Sequence, residues 1–257
     1  MFQNLSTRLA CVVGAETHPG KVRDHNEDHH LVDPELGLYA VCDGMGGHQA
    51  GEVASEIAAR LIHQTVTRQP SAGQVRPDEV LVKSLGAAHN AIVDAANADP
   101  ARLGMGTTAV VVWIPEPGDE AWVAHVGDSR AYLWRDGQLQ RLTEDHTWLN
   151  RMKRAGALPA SPDDWPNRHT LSQALGGRTP PVPDSRQVTL QAGDVLLLCS
   201  DGLTDMLDDA AIAGMLATPA GPHGLVRSLI AEANRQGGED NITAVVIRIT
   251  RPGEPSG

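Results

Sequence analysis

Two short apolar runs that each end on Asp-Gly constrain this chain more than any other feature. Tyr39-Ala40-Val41-Cys42 is followed by Asp43-Gly44, and the run from Val195 to Ser200 by Asp201-Gly202. A continuous apolar run of this length reads as a buried strand, so each aspartate is held by rigid backbone at a strand end. Asp-Gly alone is a weak signal, because it is also the strongest mark of a type I′ hairpin turn. The chain carries its own control. Asp136-Gly137 joins the strand-like runs Tyr132 to Arg135 and Gln138 to Arg141 and is expected to be a turn only. Asp43 and Asp201 lead instead into glycines or a helical pattern, with no return strand.

Other acids stand in comparable settings: Asn26-Glu27-Asp28 shares a loop with Arg23, Asp128 lies in Gly127-Asp128-Ser129-Arg130, and Asp240 in Gly238-Glu239-Asp240-Asn241. Several carboxylates buried together repel one another severely unless cations neutralise them. A shared metal site is the economical answer, and all-oxygen ligation without cysteine suits Mg²⁺ or Mn²⁺ better than structural zinc.

The rest of the chain supplies a frame for these acids. Apolar residues recur at helical spacing in Val53, Ile57, Leu61, in Leu81, Leu85, Ala88, Ile92, and in Leu225, Leu229, Ala233. Strands are expected over Leu9 to Ala15, Leu38 to Cys42, Thr107 to Ile114, Ala121 to Val126, Ala131 to Trp134, Val195 to Cys199 and Thr243 to Ile249. Adjoining strands, with helices gathered in pairs, point to the α+β class: antiparallel sheets with helices packed outside. One domain over 1–257 is expected, with an ordered core over about 8–250 and a tail at 251–257. The proline-rich interval 148–183, with a short helical pattern from Leu149 to Ala155, reads as a flap-like insertion. His25, His29 and His30 are expected in surface or loop positions.

Composition excludes several functions. With 21 Lys+Arg against 32 Asp+Glu, a net charge of −11, the chain lacks the basic surface that nucleic-acid binding needs. No apolar run approaches a membrane span, and the three cysteines, Cys11, Cys42 and Cys199, suit a reducing compartment, so a soluble cytoplasmic protein is expected. A cysteine phosphatase would place Arg six residues after its nucleophile, where this chain has Thr17, His48 and Asp205. Gly20-Lys21-Val22 is no nucleotide-binding loop, and Gly127-Asp128-Ser129-Arg130-Ala131 misses the serine-hydrolase elbow by its last residue.

Six motifs taken together resemble the bacterial-type metal-dependent protein phosphatases, the 2C or PPM family. They are Val22-Arg23-x-x-Asn26-Glu27-Asp28, Val41-Cys42-Asp43-Gly44-Met45-Gly46-Gly47-His48, Gly106-Thr107-Thr108, Val126-Gly127-Asp128-Ser129-Arg130, Ser200-Asp201-Gly202-Leu203 and Asp240-Asn241-Ile242-Thr243, in family order over residues 22–243. The resemblance implies a four-layer α/β/β/α sandwich, two antiparallel sheets flanked by helix pairs, that hydrolyses phosphoserine and phosphothreonine with two Mn²⁺ or Mg²⁺ ions and an optional third. It further implies that Asp43 bridges two cations, with Glu27 and the Gly44 carbonyl on one side and Asp201 and Asp240 on the other, while Asp128 with Asp201 holds the third. A metal-bridging water or hydroxide would attack phosphorus in line, and the planar fork of Arg23 would take two phosphate oxygens. Asp28 and Asn241 are expected to support ligands rather than bind metal. Met45 stands where some relatives carry a proton-donating His, which leaves His48 or a metal-bound water to protonate the leaving group. The implied partners are phosphorylated proteins and a bacterial-type Ser/Thr kinase whose action is reversed, with a monomer expected and neither nucleic acid nor membrane involved. A non-catalytic scaffold on the same fold is the competing function; its mark would be a lost ligand, and Glu27, Asp43, Asp201 and Asp240 are all present.

Overall fold

The computed structural model describes residues 9–46, 50–69, 76–116, 118–158 and 170–253. Its twelve described strands are β1 (Ala10–His18), β2 (His29–Asp33), β3 (Leu38–Cys42), β4 (Gly44–Met45), β5 (Gly106–Thr107), β6 (Ala109–Trp113), β7 (Glu120–Val126), β8 (Arg130–Arg135), β9 (Gln138–Arg141), β10 (Asp184–Thr189), β11 (Val195–Cys199) and β12 (Ile242–Thr250). The helices are α1 (Ala50–Thr67), α2 (Pro77–Ala98), α3 (Trp148–Arg154), α4 (Asp201–Thr204), α5 (Asp209–Leu216) and α6 (Pro222–Gln236). Two five-stranded antiparallel sheets form, in the orders β1-β12-β11-β8-β9 and β10-β7-β6-β3-β2. The α+β sandwich expected from the sequence is the one observed.

The continuous apolar runs follow from burial on both faces of each sheet. Along β3, Tyr39 and Val41 pack into the layer between the sheets, whereas Leu38, Ala40 and Cys42 face α1 and α2. Along β11, Leu196 and Leu198 face the inter-sheet layer and Val195, Leu197 and Cys199 lie under α5 and α6. Period-two alternation places successive side chains on opposite faces, and because both faces are covered, both sets are apolar. Register fixes the central strands: Leu197 pairs with Val246 on one side and Tyr132 on the other.

The turns obey their local chemistry. Asp136 and Gly137 both take positive φ, 50° and 80°, joining β8 to β9 as a turn and nothing more. Pro77 opens α2 and Pro222 opens α6, where a missing N–H leaves no hydrogen bond unmade.

Several expectations need adjustment. The run Thr107 to Ile114 is split, because Thr108 leaves the ladder to bond Asp43 and only β6 continues into the sheet. His29 and His30 lie on β2, paired with Cys42 and Val41; His29 is exposed there, as expected of a surface position, and His30 is half-buried. Within 148–183, α3 matches the short helical pattern, residues 159–169 lie outside the described residues, and the chain then returns to the core. There Leu171 bridges Thr147, Leu175 bridges Thr107, and Leu175 is fully buried against the layer beneath α1 and α2.

Candidate metal centre

Every acid singled out by the sequence sits at one end of the sandwich, at a strand terminus. Asp43 follows β3, Asp201 follows β11 and opens α4, Asp128 lies in the turn from β7 to β8, Asp240 precedes β12, and Glu27 and Asp28 precede β2. Arg23, Glu27, Asp43, Gly44, Asp128, Asp201, Asp240 and Asn241 all line one cavity of about 480 Å³. Asp28 lies behind them, buried, and His48 lies outside the described residues.

Backbone and hydroxyl contacts hold the set in place. The Asp43 N–H donates to Thr108 Oγ1 at 3.0 Å, and its carbonyl accepts from the Thr108 N–H at 2.9 Å and from Thr107 Oγ1 at 2.8 Å. Thr108 Oγ1 also meets Ser129 Oγ at 2.6 Å, tying the Asp43 end of β3 to the Asp128 turn. Asn241 gathers the loop before β2: its Oδ1 accepts the Glu27 N–H at 2.8 Å, while its Nδ2 donates to the His25 and Pro19 carbonyls at 2.8 and 3.1 Å. Gly44 and Gly51 of α1 pack backbone to backbone; a Cβ on Gly51 would stand 2.7 Å from the Glu27 carboxylate and 2.8 Å from the Gly44 carbonyl carbon. Those two glycines let α1 abut the Glu27 carboxylate.

The electrostatics are those of an uncompensated anion cluster. Burial first, then repulsion from Asp201 and Asp28, holds the Asp43 carboxyl well above its ordinary range. Burial and the Asp201 charge push Asp128 up to about 8. Burial carries Asp201 to about 6, although its hydrogen bond with Asp43 acts the other way. Asp28 rises to about 7 through burial, even though Ser200 Oγ and Thr243 Oγ1 both donate to its Oδ2 at 2.7 Å. Its other oxygen, Oδ1, is buried with no hydrogen-bond partner. Among the described residues, the cationic side chain lining the cavity is Arg23, exposed, with Nη2 2.7 Å from Asp240 Oδ2.

Half-buried oxygen donors in this number, with Glu27, Asp43, Asp128 and Asp201 raised in pKa and one buried oxygen of Asp28 orphaned, fit hard divalent cations. Residues that could ligate are Glu27, Asp43, Asp128, Asp201 and Asp240, with the Gly44 carbonyl beside them. Sequence reasoning gave no role to Thr108, Ser200 or Thr243, which orient the acids, although each stands within one of the six motifs. It also set aside His25, an exposed imidazole that lines the cavity, and Leu171, which brings the far end of the flap segment to its rim.

A two-sheet sandwich with a carboxylate centre at the seam supplies oxygen ligands for divalent cations, and comparison with known proteins gives the class. A protein phosphatase 2C profile matches residues 21–225. The chain is 35% identical over 238 residues to the serine/threonine phosphatase stp of Listeria innocua, covering 90% of this chain and 93% of that one. Its fold is similar to the crystal structure of the Mycobacterium tuberculosis serine/threonine phosphatase PstP/Ppp, with a TM-score of 0.83 at 34% identity over 94% of this chain and 99% of the other. A second structure of the PstP catalytic domain, in complex with two manganese ions, matches at a TM-score of 0.80 and 33% identity, covering 94% and 99%. The chain belongs to the protein phosphatase 2C family.

Proposed function

We propose that the cavity at the end of the sandwich hydrolyses phosphoserine and phosphothreonine in proteins. The chain is a metal-dependent serine/threonine phosphoprotein phosphatase. The observation that carries the reading is the convergence of Glu27, Asp43, Asp201 and Asp240 on one cavity with Arg23 on its lining.

Glu27, Asp43, the Gly44 carbonyl, Asp201 and Asp240 would hold two divalent cations, with Asp43 shared between them, and Asp128 with Asp201 would hold a third, weaker ion. Bound Mn²⁺ or Mg²⁺ supplies an acidified water for in-line attack at phosphorus. The protein's own share is positioning and charge. Asn241 and Asp28 fix the ligands from behind, through the Glu27 amide and through Ser200 and Thr243. Arg23 offers two parallel N–H donors to the phosphate oxygens. Met45 lines the cavity but its thioether donates no proton to the departing alkoxide, a task assigned here to His48 or to solvent. The 148–183 segment acts as a flap that shapes substrate choice. Residues 1–257 act as one domain and as a monomer, in the cytoplasm, reversing a bacterial-type Ser/Thr kinase; among the described residues no helix is long and apolar enough to cross a membrane.

The test is release of phosphate from a phosphothreonine peptide with Mn²⁺, with Mg²⁺ and after chelation, beside Asp43→Asn. Metal-dependent turnover that the substitution removes is expected. A folded, Mn²⁺-binding protein that releases phosphate from no peptide would overturn the reading in favour of a scaffold.

A further inference from the structure

Away from the carboxylate cavity, His125, His146 and Asp184 bring two imidazole nitrogens and a carboxylate oxygen within 4.8 Å of one another, and both imidazoles are buried. By composition this is a metal trio, but its hydrogen bonds oppose that use. His146 Nδ1 accepts the Gly127 amide proton at 3.3 Å, so the ring proton sits on Nε2, facing Asp184 Oδ2 at 3.3 Å. A cation on Nε2 would force that proton onto Nδ1, against the Gly127 N–H. His125 spends its Nε2–H on the Glu144 carbonyl at 2.9 Å, and Asp184 already has a cation, Arg154 of α3, at 2.8 Å.

The same bonds aim the cluster at Asp128. Both polar backbone atoms of Gly127 rest on His146: its N–H on the ring, and its carbonyl on the His146 N–H at 2.9 Å. Gly127 takes φ of 101°, and a Cβ there would stand 2.6 Å from the Thr108 side chain, so the turn lies close against Thr108. On the far shoulder of the turn, Asp145 pairs with Arg130 at 2.9 Å. Consecutive residues, Asp145 and His146, thus clamp the turn on both sides of Asp128. The His146 ring is itself kept from rotating by Asp184 and by stacking on His125 at 4.6 Å between centroids.

We propose that His146 is a positioning residue for Asp128, holding the Gly127 amide through Nδ1 so that the Asp128 carboxylate is presented to the third cation. This rests on the reading in which Asp128 with Asp201 holds that ion. Asparagine and glutamine separate the two ends of the ring, since Asn Oδ1 stands in for Nδ1 and Gln Nε2 for Nε2.

The experiment is a Mn²⁺ binding isotherm, read from the free-ion electron paramagnetic resonance signal, for the parent, His146→Gln, His146→Asn, Asp184→Ala and Asp128→Ala, with Mn²⁺-dependent peptide turnover in parallel. His146→Gln should weaken only the weakest site, by about tenfold as for other residues that orient a metal ligand, and His146→Asn should recover most of that loss. Adding His146→Gln to Asp128→Ala should change nothing further. Asp184→Ala, a half-exposed position, should shift the weakest site in the same direction by about threefold, because it frees the ring to adopt the other tautomer. Equal isotherms for His146→Gln and the parent, no rescue by His146→Asn, or an additive loss in the double variant would overturn the inference. If Asp128→Ala leaves the isotherm unchanged, the third-ion reading fails first and the inference falls with it. Loss of all peptide turnover in the parent, with isotherms behaving as described, would refute the phosphatase reading alone.

Discussion

Replacing glycine with alanine at two helical positions should have opposite effects on stability. Gly86 of α2 has no heavy atom within 4 Å of where a Cβ would stand, so Gly86→Ala should gain the ordinary helical preference, about 0.5–1 kcal/mol. At Gly51 of α1 the same methyl meets the Glu27 carboxylate at 2.7 Å and the Gly44 carbonyl carbon at 2.8 Å. The carboxylate can swing aside, but the Gly44 backbone is fixed by β4 pairing with β5. Overpacking of this kind costs about 1–3 kcal/mol, which outweighs the helical gain and leaves Gly51→Ala about 1–2 kcal/mol less stable than the parent. With a urea dependence of about 2 kcal/mol per molar, the two variants should unfold about 1 M apart in urea when compared in chelator. Because the displaced group is the Glu27 carboxylate, Gly51→Ala should also need more Mn²⁺ for half-maximal turnover, whereas Gly86→Ala should not. A Gly51→Ala protein that unfolds at or above the parent's midpoint with an unchanged Mn²⁺ requirement would refute the close packing of α1 on the centre.

Asp43→Asn should lower turnover at saturating Mn²⁺ by at least tenfold, about 1.4 kcal/mol, while its urea midpoint in chelator stays at or above the parent's, because one member of a repelling cluster is gone; phosphate release and urea titration on one preparation test both. Arg23→Lys keeps the charge but loses the fork, and should reduce kcat/KM on a phosphothreonine peptide by about tenfold; parent-like kinetics would remove Arg23 from phosphate binding. In chelator, Asp128 holds its proton to about pH 8 in the folded state against 3.8 for the ordinary side chain. The folded state therefore binds more protons across that window, and the group's contribution to stability is fullest near pH 4, declines as pH rises, and levels off above about 8. The stability difference between parent and Asp128→Asn should fall across pH 5 to 8 in chelator and flatten with Mn²⁺ present; a pH-independent difference would count against the burial of Asp128.

Much of this architecture could be read in the sequence wherever one residue pattern determines one structure. The run from Val195 to Cys199 could be little else than a strand covered on both faces, and Leu225, Leu229 and Ala233 mark one buried stripe of α6. Asp136-Gly137 announced its turn because few other dipeptides take two positive φ values in succession. β10 gave no such signal: Asp184 to Thr189 is mostly polar, and its strand state comes from pairing with β7 at an edge. β2 was obscured in the same way by His29 and His30, whose placement depends on β3. The acids were visible because glycine and strand ends flank them, but the Asn241 contacts to Pro19, His25 and Glu27 join segments more than 200 residues apart, and no local pattern reports that. His146 was invisible too, since its partners lie 19 and 38 residues away, Gly127 in the turn from β7 to β8 and Asp184 at the start of β10, and no local pattern joins them.

The acids are drawn from both sheets: Glu27 and Asp43 from the ends of one, Asp201 and Asp240 from the other, with Asp128 in the crossing between them. Cations seated there would clasp the two halves of the sandwich at a seam where the carboxylates otherwise push apart. A ligand that binds only the folded state adds RT ln(1 + [L]/Kd) to stability, about 2.7 kcal/mol at a hundredfold excess over Kd. A shift of that size changes the fraction of chains open to proteolysis by about a hundredfold. The amount of this protein in a cell, as well as its rate, would then follow the supply of divalent metal.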